Sequence, residues 1–272
     1  MILLAFHKSN FLDIGGVLVS FYRGYIKLNE DKTPVDRRMS RSIPDWPTVG
    51  GVLDRDYMIV DIDTFEDSDL FMQLADTFKW RTHIVATDSG LHAIFKKPDM
   101  SISSVVGREL FVGIRADYKL GRANWRSSDY ECIIKHGKCR EVLQQCDDPQ
   151  VLPWQLMYYT NEMNLKDVGE GSGRHGVHQA LIARATAYTT NAEEIRFVVQ
   201  WINDNIFAEP RESVNWSVKQ ISQWIATNVV SKVPETSEEL RDFIERYDIK
   251  DYTKIVRFVS SNYDLLQQNM SK

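Results

Sequence analysis

Met58-Ile59-Val60-Asp61-Ile62-Asp63 ends a hydrophobic run with two carboxylates in alternation. Strand side chains point to opposite faces in turn, so Val60 and Ile62 are expected to face a core while Asp61 and Asp63 stand together on the other side. Hard carboxylate oxygens placed like this attract a divalent cation. The run therefore reads as a strand that carries chemistry as well as packing.

Four more apolar runs in the first half read as strands: Gly16 to Tyr25, His83 to Thr87, Leu91 to Phe95 and Leu110 to Asp117. Between them Leu70, Phe71, Leu74 and Phe78 recur at helical spacing, which predicts a helix packed on the sheet, with Asp67 or Ser68 as its N-cap. Beyond Pro153 the pattern becomes helical. Gly169, Gly171 and Gly173 mark a connection, and helices are expected over 175–188, 192–207, 216–229, 237–247 and 251–266. The expected class is α/β in the α+β sense, a mixed N-terminal half followed by a helical C-terminal half.

Composition bounds the function. The chain has 272 residues, 43% of them hydrophobic, enough for a substantial core and for two domains. No apolar stretch approaches the length of a membrane span, and the N-terminal apolar residues soon meet His7 and Lys8 without a signal-peptide pattern. A cytoplasmic protein with no membrane partner is expected. Three cysteines argue against a disulfide framework. The net charge of −5 means that any nucleic-acid binding must rest on local basic clusters.

Two further motifs share the logic of the first. Thr87-Asp88-Ser89-Gly90-Leu91-His92 places turn residues between two apolar runs, so it reads as a hairpin with His92 just past the turn. Leu91, Ala93 and Phe95 then take one face, and His92, Ile94 and Lys96 the other; His92 beside a Ser-Gly turn could hold nucleotide phosphates. In Val112-Gly113-Ile114-Arg115-Ala116-Asp117, alternation sends Gly113, Arg115 and Asp117 away from the core, giving a third carboxylate with a basic neighbour, and Gly113 permits close approach. On a shared sheet, Asp61, Asp63, His92 and Asp117 would converge. Three carboxylates suit two-metal nucleotidyl transfer, in which ions roughly 3.5–4 Å apart activate an attacking hydroxyl and stabilise the leaving pyrophosphate.

The order and spacing resemble the archaeo-eukaryotic primase superfamily, specifically the primase-polymerase branch of plasmids and phages. Ile59-Val60-Asp61-Ile62-Asp63 resembles its first signature, Ser89-Gly90-Leu91-His92 its second and Ile114-Arg115-Ala116-Asp117 its third, at intervals of 29 and 25 residues from Asp63 to His92 and His92 to Asp117. Leu152-Pro153-Trp154 resembles the Leu-Pro that often closes the domain, and Gly173-Arg174-His175 resembles the entry to a helical domain that follows many such cores, with His175 where Asn is commoner. The resemblance implies a split RRM-like catalytic core over 1–155, a linker over 156–172 and a helical primase C-terminal domain over 173–272. It implies that Asp61, Asp63 and Asp117 hold Mg²⁺ or Mn²⁺, that His92 and Ser89 contact the incoming nucleotide's phosphates, and that Lys96, Lys97, Lys119 and Arg122 approach nucleotide or template. The implied partners are a single-stranded DNA template, dNTPs or NTPs, and a separate replicative helicase, since the chain lacks a Gly-x4-Gly-Lys-Ser/Thr sequence.

Each feature has a plainer reading. Asp-x-Asp can be an exposed strand end, His92 a structural histidine, Asp117 a partner of Arg115 or Lys119, and Asp-Ser-Gly an ordinary turn. The basic residues Arg23, Lys27, Lys32, Arg37, Arg38 and Arg41 ahead of the Asp61 strand could engage a phosphate backbone, with Trp46 stacking on a base, or simply be solvated, with Trp46 as a packing anchor. Cys132, His136, Cys139 and Cys146 lack a standard zinc spacing, and Lys135-His136-Gly137-Lys138 reads as a hairpin tip; zinc is not expected. A haloacid dehalogenase-type phosphatase also has Asp-x-Asp after a strand, but it needs Thr or Val where this chain has Phe65, and it has no counterpart of the Ser-Gly-x-His hairpin. A non-catalytic DNA-binding replication protein is the other alternative.

Overall fold

The computed structural model describes residues 21–99, 101–122, 130–159, 161–214 and 216–225. It is a mixed α+β protein of two compact units. The first comprises residues 1–68, 75–97 and 117–151, the second 69–74, 98–116 and 152–272. These bounds interleave along the chain, 98–116 grouping with the helical half.

In the first unit β1 (Tyr22–Lys27) pairs with β2 (Val49–Leu53), and β3 (Tyr57–Ile62) follows after a short turn. The helix α1 (Phe65–Thr77) begins three residues before sequence periodicity places it. Thr64 rather than Asp67 or Ser68 caps it, its Oγ1 accepting the Asp67 backbone N–H at 3.2 Å. A hairpin of β4 (His83–Ala86) and β5 (Leu91–Lys96) follows. The second unit's β6 (Val105–Glu109) precedes β7 (Arg115–Leu120), and β8 (Tyr130–Lys135), β9 (Lys138–Cys139) and β10 (Val142–Gln144) complete the strands.

One sheet of the first unit runs β1-β2-β8-β9; in the other, the part within this unit runs β10-β4-β5-β3-β7. All the pairings described among these strands are antiparallel. Both sheets supply one apolar cluster, with Phe21, Tyr22, Tyr25, Val49 and Leu53 meeting Ile59 and Ile94, and Trp46 packs on it as an anchor. Ile59 shares a face with Asp61, and Ile94 with His92. The face carrying the polar residues is therefore not an open surface; it is apolar and covered at one end, with the acids at its margin.

Two sequence details set the local geometry. At Gly90 an added Cβ would lie 1.9 Å from the Ile62 carbonyl oxygen, so only glycine lets the β4–β5 turn sit against the end of β3. At the β8–β9 tip, His136 and Gly137 both have positive φ (50° and 74°), as a two-residue hairpin turn with Lys135 opposite Lys138 requires.

The expected strand over Leu110 to Asp117 is only half correct. Leu110 N–H bonds the Ile114 carbonyl across a turn in which Gly113 has φ +81°, and the strand begins at Arg115. Val112, Ile114 and Ala116 are buried as alternation requires, but so are Leu110, Phe111 and Gly113, so burial is continuous through the turn. Gly113 does permit close approach, but of the Ile206 side chain, 2.5 Å from where its Cβ would be.

The second unit holds α2 (Arg174–Ala185), α3 (Ala192–Asn205) and α4 (Val218–Ile225). Asn191 caps α3 by accepting the Glu194 N–H. Glu109, only 4% exposed, accepts the backbone N–H groups of Met163, Asn164 and Leu165 at 2.7, 3.0 and 2.6 Å. The helices expected over 237–247 and 251–266, the end of that over 216–229 and the start of the strand from Gly16 lie outside the described residues. No described helix is long and apolar enough to cross a membrane.

Candidate active site

Register brings the predicted residues into one row. Asp61 on β3 is paired directly with His92 on β5 at one side and with Asp117 on β7 at the other. Residues opposite one another in a ladder share a face, so the three side chains emerge together. Asp63 lies two residues beyond Asp61, where the strand has ended and the carboxylate is exposed. Lys119, two residues along β7 from Asp117, ion-pairs with Asp61 Oδ2.

A cleft of about 360 Å³ opens on this row. Asp61, Asp63, Ser89, His92 and Lys119 line it, joined by Lys32, Thr87, Asp88, Tyr130, Cys132 and Arg140. Asp117 is not part of the lining, although its charge acts on Asp63. Lys96 stands four residues along β5 from His92 in a 2.5 Å ion pair with Asp148, and neither it nor Arg122 lines the cleft. Lys97 donates to the Gly121 carbonyl at 3.0 Å. The Arg115 guanidinium bonds Glu162 at 2.8 Å and the Gly107 carbonyl at 2.7 Å.

His92 is not the open phosphate ligand that alternation suggests. It is 7% exposed, with Nε2 3.0 Å from Asp61 Oδ1 and Nδ1 2.9 Å from Glu131 Oε1. Glu131 comes from β8 in the other sheet, is fully buried, and also accepts the Tyr22 hydroxyl. Gly51 makes that reach possible, since a Cβ there would meet the Tyr22 ring at 2.8 Å. The chain Tyr22–Glu131–His92–Asp61–Lys119 thus ties the two sheets through the site.

The charges in this chain are strongly coupled. Burial disfavours the Asp61 carboxylate, but the hydrogen bond and charge of His92 and then of Lys119 outweigh it and hold its pKa at about 2. Burial likewise opposes charge on His92, and its bonds to Asp61 and Glu131 prevail, raising its pKa. Glu131, despite complete burial, is lowered by His92 and Tyr22. Asp63 is raised, by burial and then by the charges of Asp61 and Asp117.

The donor set fits a hard divalent cation. Asp63 is held up by its two neighbouring carboxylates, a repulsion that a cation would relieve. Asp61 Oδ1 is buried, 3.0 Å from His92 Nε2. As the side chains stand, no group of three or more His, Cys, Asp or Glu among the described residues is drawn together tightly enough to enclose an ion.

Glu131, Tyr22 and Arg140 were not singled out by motif. Glu131 sits in an ordinary Tyr-Glu-Cys-Ile strand, and only its pairing opposite Gly51 reveals its direction. Arg140 donates to the Ala86 carbonyl at 3.1 Å, while its buried Nε has no hydrogen-bond partner among the described residues. The cysteines are unpaired: Cys132 is buried, Cys139 exposed and Cys146 half-buried. In the helical half, Arg174 bonds the Glu209 carbonyl at 2.8 Å and His175 is exposed. No known family pattern matches the chain, and no curated protein matches it.

Proposed function

We propose that this protein is a metal-dependent primase-polymerase that extends or initiates nucleic-acid strands on a single-stranded DNA template. The observation that carries this is the row His92–Asp61–Asp117 across three adjacent strands, with Asp63 at its end and the basic side chains Lys32, Lys119 and Arg140 around one cleft. The phosphatase alternative has no place for His92 and Asp117 beside the Asp-x-Asp strand.

In this proposal Asp61, Asp63 and Asp117 hold Mg²⁺ or Mn²⁺, which when bound supplies charge neutralisation at the α-phosphate and at the leaving pyrophosphate. Asp61 now spends its oxygens on His92 and Lys119. Were a cation held by Asp61, His92 Nε2 and Lys119 Nζ would be available to a triphosphate, Glu131 would keep the imidazole oriented, and Ser89 would offer its hydroxyl at the turn. Lys96 and Arg122 stand outside the chemistry. The mixed fold is read as a split RRM-like core over 1–155, a linker over 156–172 and a helical domain over 173–272 that assists priming, working in the cytoplasm with a separate helicase.

The test supplies primed and unprimed single-stranded templates, labelled dNTPs or NTPs, and Mg²⁺ or Mn²⁺. Template-dependent extension is expected, falling at least 100-fold in Asp61→Ala and Asp117→Ala with folding preserved. Undiminished synthesis by both variants refutes the proposal.

A further inference from the structure

The loop between β1 and β2, residues 29–48, is ordered against the edge of a sheet; its four cations balance Glu30, Asp31, Asp36 and Asp45 in number, but three of them, Arg37, Arg38 and Arg41, gather within five residues. Its first turn is closed by Asn29 N–H to Thr33 O at 2.8 Å, with Lys32 at φ +65°. Tyr130 donates its hydroxyl to the Lys32 carbonyl at 2.7 Å, and Lys32 lines the cleft. The chain then returns along β1. Val35 N–H bonds the Lys27 carbonyl at 3.0 Å, and Ser40 and Tyr25 exchange both backbone bonds at 2.8 Å. Gly24 lets the strap lie close, since a Cβ there would be 3.0 Å from the Ser40 carbonyl oxygen.

Covering the free edge of β1 accounts for this backbone. It does not account for the side chains. From 32 to 43 the strap has four cations, Lys32, Arg37, Arg38 and Arg41, against one carboxylate, Asp36, in a chain whose net charge is −5. Arg37 and Arg41 are exposed and make no ion pair among the described residues, and Arg38 only approaches its near neighbour Asp36 at 3.9 Å. Interleaved with them, Val35, Met39 and Ile43 are 46, 46 and 51% exposed. Like charges gathered on a fixed backbone beside apolar side chains suit a strand that offers phosphates and base faces together.

We infer that residues 35–43 form the track for single-stranded DNA, its backbone on Arg37, Arg38 and Arg41 and its bases against Met39 and Ile43, leading to the cleft at Lys32. This deepens the nucleotidyl-transfer proposal by saying where the template lies. Binding of a labelled oligo-dT to the full chain, followed by anisotropy over a series of NaCl concentrations, tests it without requiring synthesis. In Arg37→Ala/Arg38→Ala/Arg41→Ala, affinity should fall at least tenfold, and the slope of log affinity against log salt should shrink by about 2, three single-strand contacts' worth. The corresponding triple Lys variant should retain the slope. An unchanged slope in the Ala variant overturns the inference, as does displacement of the oligonucleotide by polyglutamate as readily as by unlabelled DNA. Wild-type binding with the expected slope but without synthesis would refute the nucleotidyl-transfer chemistry and leave the track standing. Synthesis with an unchanged slope would do the reverse.

Discussion

Asp61 meets two cationic side chains on one carboxylate, and the consequences can be read in pH. Its folded pKa of about 2 lies below its ordinary 3.8, so the stabilisation it contributes is present above about 4 and is lost as pH falls toward 2. The shift corresponds to roughly 2 kcal/mol. His92 is raised, so its contribution is complete below its ordinary value near 6.5 and is lost as pH rises through the folded value. Chemical denaturation in EDTA should therefore show an alkaline decline in stability above pH 6.5 that His92→Gln removes; persistence of that limb in the variant would rule out His92 as its source. Glu131→Gln should destabilise the fold by about 2 kcal/mol, because one of the two donors facing it meets an amide N–H₂ instead of an acceptor. It should also slow extension while leaving the salt slope of DNA binding unchanged. That Asp61, His92 and Asp117 share one face was legible in advance, because alternation along a strand is a local property. The part of Glu131 was not, since its bond to His92 spans 39 residues of sequence and two sheets.

Elements obey the same division between local and distant causes. Thr64→Ala removes the cap of α1 and should cost about 1 kcal/mol in a thermal or urea melt. Gly90→Ala places a methyl group 1.9 Å from the Ile62 carbonyl oxygen, so the turn or the end of β3 must shift. A loss of about 3 kcal/mol is expected, and the cleft should lose nucleotide affinity in the same variant; wild-type behaviour on both counts would show that the turn relaxes freely. The strands at residues 57–62, 83–86 and 91–96 and the hairpin tip at residues 136–137 were legible because apolar alternation and turn residues agree there. The segment from Leu110 was misread because its apolar residues run unbroken into β7, while the turn itself is set by the positive φ at Gly113 and the Leu110–Ile114 backbone bond. β2 was missed because its Val-Gly-Gly-Val-Leu sequence has weak strand propensity and is fixed by partners on both sides.

For the whole molecule, cation binding should couple to stability. Mn²⁺ at about 100 times its dissociation constant would add about 2.7 kcal/mol to unfolding if it binds only the native chain. The thermal midpoint should rise accordingly and return with EDTA. The rise should vanish in Asp63→Asn, where one ligand becomes neutral; an equal rise there would place the ion elsewhere. Fold class could be anticipated from the change of periodicity near Pro153, but the interleaving of the two units could not, because nothing local in residues 98–116 announces that they belong with the helices. That interleaving gives the Glu109 clasp a meaning in time. Its three backbone donors lie 54 to 56 residues downstream. At 5–20 residues per second, roughly 3 to 11 seconds separate translation of the carboxylate from translation of its partners. During that interval the ribosome is making residues 117–151 of the other unit, so the Glu109 carboxylate stays without these three donors until residues 163–165 have followed.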